Sequence, residues 1–482
     1  MSAVRTRLPV MGCVLLSAIF LASIAVAQVS WRRDYGGTNH DEGRSVQQTA
    51  DGGYVIVGYT TSFGAGGADV YLIKTDAEGD TLWTRTYGGT RDDWGNCVQQ
   101  TSDGGYIVAG WTASFGAGNR DVYLVKTNAS GDTLWTRTYG GVNEDEGNSV
   151  RQTADGGYVV AGHTYSFGAE HGDVYIIKTD AQGDTLWSRI YGGSSYDEGN
   201  SVQQTTDGGY IAAGYTYSFG GGTPTTCNVY LVRTNASGDT LWTNTYGDSL
   251  DDRGSSVQQT ADSGYIITGF TCSFGAGGGD VYLIKTNAQG DTLWTRTYGG
   301  RNEDEGYSVR QTADSGYIIT GFTSSFGAGS GDVYLIKTNA QGDTLWTRTY
   351  GGANDDEGYS VQQTADSGYI ITGCTYSFGA GGGDVYLIKT DANGNVGIEE
   401  PSTPRPAGPT RFLVQPNPFS SFARVPGHET ELFALSDVAG RQVAVCKGDR
   451  VGEGLRPGVY FLSPVGSRTG RAFVQTIIKA AF

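Results

Sequence analysis

The amino-acid sequence predicts an all-β protein: a seven-bladed β-propeller of four-stranded blades closed by its N-terminal strand, followed by a small C-terminal β-sandwich domain. Three observations predict it. Tryptophans recur at Trp31, Trp83, Trp135, Trp187, Trp242, Trp294 and Trp346, spaced 52, 52, 52, 55, 52 and 52 residues. The text between them also repeats, and residues 279–300 and 331–352 are identical over 22 positions, so one supersecondary unit is stacked on copies of itself. Finally, the repeats start with a Trp-bearing strand (29–35) and stop on a DVYLIKT strand (384–390). The last sheet is complete only if the first strand joins it, which closes the ring and removes exposed edges.

Each element of the repeat has its own reason. LWTRTYGG is a strand ending in a glycine turn, an acidic loop follows, and SVQQT is the strand nearest the axis. A DGG or DSG turn leads to GYIVAGYT, the SFGAGGG loop to DVYLIKT, and a DAEGDT turn to the next Trp strand. The runs are short, rich in β-branched and aromatic residues, and punctuated by Gly, Asp and Asn, as in an antiparallel meander. No window holds a helical period. In Tyr54-Val55-Ile56-Val57-Gly58-Tyr59 both faces are apolar or small, as a sheet packed between two others requires. With SVQQT innermost and the Trp strand outermost, the acidic and SFGAGGG loops share one face of the ring. The DGG and DAEGD hairpins share the other.

Composition narrows the function. Of 482 residues 77 are Gly, yet 30 Tyr, 17 Phe and 9 Trp supply a core that a solvated polymer would lack. A net charge of -17 excludes a generic nucleic-acid binder, which needs clustered Lys and Arg. Arg5 and Arg7 before an apolar stretch at 10–22, then Ala25-Val26-Ala27, predict a signal peptide over 1–27 and a mature chain from Gln28 without a transmembrane segment. Five cysteines remain after it, an odd number at irregular spacing, and Cys227 and Cys272 are the pair that could meet.

The candidate sites lie on the acidic face. Carboxylates of the acidic loops, with those that open each DVYLIKT strand, crowd there, and such crowding serves either a solvated rim or a hard cation with six to eight oxygen ligands. Calcium is the cation expected, with Asp145, Asp173, Asp280, Asp304, Asp332, Asp356 and Asp384 as candidate ligands. A discriminating ligand site is expected where the repeats break their own rule: Arg91, Trp94, Arg120, Glu170, His171 and the insertion around 223–226. Gly247-Asp248-Ser249-Leu250 spells a hydrolase signature, but it lacks the strand-to-helix setting and the later Asp-x-x-His partner.

Two resemblances add to this. The stretch 70–83, VYLIKTDAEGDTLW, resembles the tryptophan hairpin of pyrroloquinoline-quinone-type propellers, which implies Trp docking between blades. It does not extend to the cofactor, whose pocket needs blade-specific residues where these blades are nearly interchangeable. The same hairpin is similar to the Asp-box of sialidase-like propellers, with Ala77 standing where the Asp belongs.

At Glu399 the repeat stops, and Pro401, Pro404, Pro406 and Pro409 mark a stiff linker over 399–411. The segment 412–482 resembles the C-terminal sorting domain of type IX secretion substrates, through Gln415-Pro416-Asn417-Pro418-Phe419, then the blocks 435–443 and 455–461, and a terminal strand reaching Lys479. The strand after Phe419 is sparse and the chain ends Ala480-Ala481-Phe482, both departures from that pattern. The resemblance implies a bacterial protein that engages the outer-membrane secretion machinery and is secreted or held at the outer-membrane surface. The sequence as a whole therefore predicts a non-enzymatic binding or scaffold propeller with a glycan or protein ligand. The alternative is an extracellular glycoside hydrolase using acidic-face carboxylates.

Overall fold

The computed structural model describes residues 30–169, 171–220 and 225–397 and, toward the C-terminus, 422–425, 430, 432–437, 441–464 and 475–479. The segment 1–27 expected as a signal peptide, Glu170, part of the 223–226 insertion, the expected linker over 399–411 and the 415–419 block lie outside them. Contacts divide the chain into two units, Met1–Gly397 and Ile398–Phe482. Among the described residues no helix is long and apolar enough to cross a membrane.

The first unit is a seven-bladed propeller. Strand β1 is Trp31–Tyr35, and the first blade is the meander β2 (Asp41–Gln48), β3 (Tyr54–Thr60), β4 (Asp69–Thr75) and β5 (Thr81–Tyr87). Five more blades repeat this order. The seventh sheet runs β1, Asp384–Thr390, Tyr369–Thr375, Asp356–Gln363, so the N-terminal strand supplies the outer strand of the last blade, with Trp31 opposite Lys389 and Tyr35 opposite Val385. Hydrogen bonds across the seam close the ring: Val46 N donates to Ser360 Oγ at 3.4 Å and Ala365 N to Gln48 Oε1 at 2.9 Å.

The core lies between blades. Val55, Val57, Val70 and Leu72 of the first blade pack with Val98, Tyr106, Val108 and Val125 of the second. This is why β3 and β4 are buried at every position and carry apolar or small residues on both faces, whereas β5 alternates toward solvent. The outer tryptophan then rests on the hairpin of the following blade. A Cβ on Gly79 would lie 2.6 Å from the Trp31 ring, and Gly79 also holds φ +79°, so the DAEGD turn needs glycine twice over. Tyr35 Oη donates to the Gly79 carbonyl at 2.7 Å, and the same bond recurs from Tyr87 to Gly131.

Each inner strand carries one irregularity, placed directly after the glycine that recurs inside it. Pairing between β2 and β3 skips from Gly43 to Ser45, a β-bulge repeated in all seven blades. The unpaired residues include Arg44, Asn96, Tyr307 and Tyr359. Bulges re-aim side chains, and here these four border the channel mouth.

In the second unit the described residues form one four-stranded sheet, ordered Gln442–Lys447, Leu432–Ser436, Gly458–Pro464, Gln475–Lys479, with an isolated bridge between Ala423 and Val451. Phe433, Leu435, Val425 and Leu462 are buried together as its core.

Candidate binding site at the channel mouth

On the acidic face the channel opens into a cavity of about 570 Å³. Its walls come mainly from three positions of the repeat, the residue before the inner-strand glycine, the bulge residue and the sixth residue of the second strand, with Arg120 added from the loop before the third strand. The bulge and sixth positions vary around the ring, and the first is Glu except at Trp94 and Arg253.

One wall is aromatic and cationic. Tyr59 and Trp94 stack with centroids 3.9 Å apart, and Trp94 and Trp111 at 5.2 Å, so the series crosses two blades. Arg44 lies over Trp94 at 5.4 Å and over Tyr359 at 5.0 Å. Arg120 lies over Trp111 at 4.3 Å and bonds Glu146 at 2.6 Å. Cations on aromatic faces in a partly desolvated site gain about 0.5–2 kcal/mol each, which holds both guanidinium groups in place.

The next arc is a carboxamide ladder. Asn96 Nδ2 donates to the Gly147 carbonyl at 3.1 Å, Asn148 Nδ2 to that of Gly199 at 3.2 Å, and Asn200 Nδ2 to that of Gly254 at 3.0 Å. Glu198 receives the hydroxyls of Tyr196 and Tyr215, each at 2.6 Å. Tyr307 and Tyr359 close the circuit at 5.4 Å.

The carboxyls around the mouth are tuned in opposite directions. Burial pushes Glu305 and Glu357 up, beyond what their tyrosine hydrogen bonds offset. Burial also acts on Glu42, but the His40 hydrogen bond, the Arg44 charge and the Tyr59 hydroxyl together bring it below the usual carboxylate range. Arg44 Nε is 2.5 Å from Glu42 Oε1, and Tyr59 Oη donates to Oε2 at 3.0 Å.

The sequence-derived candidates scatter. Trp94 and Arg120 line the cavity. Arg91 is exposed on its loop, with a guanidinium bond to the Ala113 carbonyl at 3.2 Å. His171 is exposed and borders no part of the cavity. Glu170 lies outside the described residues. Comparing repeats also carried a signal for Arg44, Tyr307 and Tyr359, since the residue after the inner-strand glycine reads Arg, Asn, Asn, Asn, Ser, Tyr, Tyr around the ring. Without the bulge, nothing indicated that this residue reaches the mouth.

The seven aspartates expected as calcium ligands are buried, at most 2% exposed, and they fasten loops. Asp145 accepts Gly141 N at 2.8 Å and Ser166 Oγ at 2.6 Å; Asp304 and Asp356 repeat this with Gly300, Ser325, Gly352 and Ser377. Asp173, Asp280, Asp332 and Asp384 accept amides of Ala169, Ala276, Ala328 and Ala380 at 2.8–3.0 Å. The two series meet across each first YGG glycine, where a Cβ on Gly299 would touch both Asp280 and Asp304. Burial foremost, and then the neighbouring carboxylate, pushes Asp173, Asp280 and Asp384 up. Among the described residues one trio could converge on a metal ion, His40, Glu42 and Cys374, and it includes none of these aspartates. Glu42 is already held by Arg44 and Tyr59, and burial pushes the Cys374 thiol far up, away from the thiolate a metal needs. All five described cysteines are unbridged, Cys227 and Cys272 included.

No family model matches the chain. A curated relative, the regulatory protein FlaEY of Caulobacter vibrioides, is 30% identical over 138 residues, covering 25% of this chain and 14% of the relative. The chain thus matches only a small part of that protein's length. Among solved structures, Sqt1 from Chaetomium thermophilum is 12% identical with a TM-score of 0.42, covering 71% of this chain and 83% of that one. The Neurospora crassa Pan2 WD40 domain is 9% identical with a TM-score of 0.43, covering 72% and 89%. PorZ, an essential bacterial surface component of the type-IX secretion system of Porphyromonas gingivalis, is 10% identical with a TM-score of 0.37, covering 93% and 60%.

Proposed function

We propose that this is a secreted or cell-surface binding propeller, non-enzymatic, that receives a glycan in the mouth cavity and is exported through its C-terminal unit. One observation carries the reading: Arg44, Trp94, Trp111, Arg120, Tyr307 and Tyr359, each unlike its counterpart in most other blades, converge on one cavity beside the glutamates that the repeat retains. Pockets that discriminate combine apolar surface with a few placed polar groups. Here an aromatic wall that carries two guanidinium groups adjoins carboxamides and carboxylates, so the lining can both donate to and accept from sugar hydroxyls. Export rests on the sequence blocks within 412–482 and on the leader over 1–27.

A glycan array on the mature chain, followed by calorimetry on any hit, tests the binding role. Arg120→Gln and Tyr307→Phe each lower affinity about tenfold or more, since each removes a polar contact worth about 1.4 kcal/mol. An array with no hit, or hits whose affinity neither substitution changes, removes the proposal. Export is tested by following the chain with and without 412–482 in a host possessing type IX secretion; equal release of both refutes the sorting role.

A hydrolase is the second reading, favoured by Glu305 and Glu357, whose raised carboxyls have the character a general acid requires. Release of reducing ends from a bound polysaccharide, abolished by Glu305→Gln or Glu357→Gln, would establish it in place of the first.

A further inference from the structure

Below the mouth, the seventh residue of every inner strand turns into the channel. Gln47, Gln99, Arg151, Gln203, Gln258, Arg310 and Gln362 together ring a cavity of about 170 Å³.

The five glutamines are held in a single orientation. Gln47 Oε1 accepts the backbone amide of Gln100 at 2.6 Å, and Gln99, Gln203 and Gln258 accept those of Gln152, Gln259 and Gln311 at 2.7 Å. Gln362 does the same for Gln48 across the seam, at 3.3 Å. A backbone N–H can be met only by the carbonyl oxygen of a carboxamide, so every NH2 group is left on the cavity side. The ring is therefore made of donors.

Arg151 and Arg310 interrupt it from the third and sixth blades, on opposing sides of the channel. Arg151 donates to the Val150 carbonyl at 2.7 Å and lies 3.1 Å from Cys97 Sγ; Arg310 donates to the Val309 carbonyl at 2.9 Å. Among the described residues no carboxylate pairs with either one. Burial, and then the charge of Arg151, pushes Arg310 down to about 10. The nearest anionic candidate is the Cys97 thiol, which burial raises but the charge of Arg151, with its hydrogen bond and the charge of Arg310, brings below the usual thiol range. One thiolate matches at most one of these two part-buried cations, which leaves room for a further counter-ion.

We infer that the waist of the channel is a binding site for a small inorganic oxyanion of the phosphate or sulfate type, gripped by Arg151 and Arg310 and surrounded by glutamine NH2 groups. Charge-assisted bonds from a planar guanidinium suit such an anion. The cavity size admits a compact ion and excludes an extended polyanion. The site is independent of whatever occupies the mouth.

The test is thermal denaturation and calorimetry of the mature chain titrated with sodium phosphate or sodium sulfate, at ionic strength held constant with chloride. Saturable stabilisation and a binding isotherm of about one site per chain are expected, since a ligand specific to the native state raises Tm by mass action. The double substitution Arg151→Gln with Arg310→Gln restores the glutamine found in the other five blades and removes the repulsion. It should melt at or above the wild type in anion-free buffer and lose the saturable response. Arg310→Lys keeps the charge without the fork and should weaken binding about tenfold while keeping the fold. The proposal is overturned if neither anion gives a saturable response. It is equally overturned if wild type and double variant respond alike, which is how salt excluded from the protein surface behaves.

Discussion

Closure of the ring depends on a strand that no hairpin ties to its sheet. In six blades the outer strand follows its neighbour through a short turn; β1 reaches Asp384–Thr390 from the far end of the chain. Trp31→Ala therefore probes closure itself. Trp31 is 5% exposed, packs edge-on against Tyr54 at 5.8 Å, lies under Arg33 at 5.3 Å, and fills the seam with Ile56, Ile73, Ile370 and Leu387. Truncating a buried tryptophan costs about 3–5 kcal/mol, and the lost cation–π contact adds about 0.5 kcal/mol. A fall of about 4 kcal/mol is expected, a large share of a total stability of about 5–15 kcal/mol. Trp187→Ala is the control, because Trp187 is only half-buried on a hairpin-tethered strand and should cost about 2 kcal/mol. Urea denaturation followed by circular dichroism measures both. Amide exchange then locates the effect: in Trp31→Ala, protection should be lost first at 31–35 and 384–390. A change below about 1 kcal/mol, or exchange that rises evenly around the ring, would refute closure by β1.

Two further outcomes follow from the repeat geometry. In four blades the inner hairpin places glycine at positive φ, as at Gly52, while Ser263, Ser315 and Ser367 occupy the same turn at φ 67, 65 and 68°. A side chain there is strained, and a Cβ on Gly52 would meet nothing, so only the backbone matters. Each Ser→Gly change should stabilise by about 0.5–1 kcal/mol, and the three should add across separate blades, measured by thermal denaturation. The second concerns pH. Asp69, Asp121, Asp173, Asp280 and Asp384 are raised in the folded state, chiefly by burial, so the unfolded chain gives up these protons first. Their contribution to stability should grow as pH falls from neutrality through their folded values toward about 4. The hairpin aspartates act oppositely: burial raises them, but Lys126 and Thr101 at Asp103, and Thr153 and Lys178 at Asp155, hold these to about 2. Their stabilisation is present above about 4 and is lost as pH falls toward 2, so stability should peak on the acid side of neutrality. Asn228 occupies the raised position in the fourth blade, so Asp173→Asn should be accepted and should flatten the rise between pH 7 and 4. A urea midpoint that falls steadily from pH 7 to 4, unchanged in shape by Asp173→Asn, would contradict this.

Much of the architecture was legible because a propeller is a local pattern repeated. The 52-residue spacing, four short runs per repeat and offset termini suffice to predict seven blades with a shared last sheet. The mouth was legible only in part. Trp94 and Arg120 stand out as departures from the repeat, and both line the cavity; Arg91 and His171 depart from it equally and face solvent elsewhere. Departure identifies a residue that differs, but which way its side chain turns depends on the bulge after the inner-strand glycine. A glycine inside a strand often marks a bulge, and one precedes it in every blade, but which way the extra residue turns is set by how the strand pairs.

The acidic loops show the converse. Composition places their carboxylates on one face, and the turn residues beside them are visible in the sequence. That Asp145 and Asp304 accept the Gly amides and Ser hydroxyls of their own loops was decided by the fold, which brings those donors to them from within the blade and across the turn. The sequence by itself determined the blade count, the strand order, the shared last sheet and the positions free to vary, because each is written within one repeat or in the offset of its ends. Tertiary structure alone decided which varying side chains converge, which aspartates are buried, and which way the channel glutamines turn. Those outcomes depend on atoms roughly one blade apart, such as Gln47 and the amide of Gln100, or 314 residues apart, as for Gln48 and Gln362. Such distances are set by packing one sheet against the next, and no local pattern encodes them.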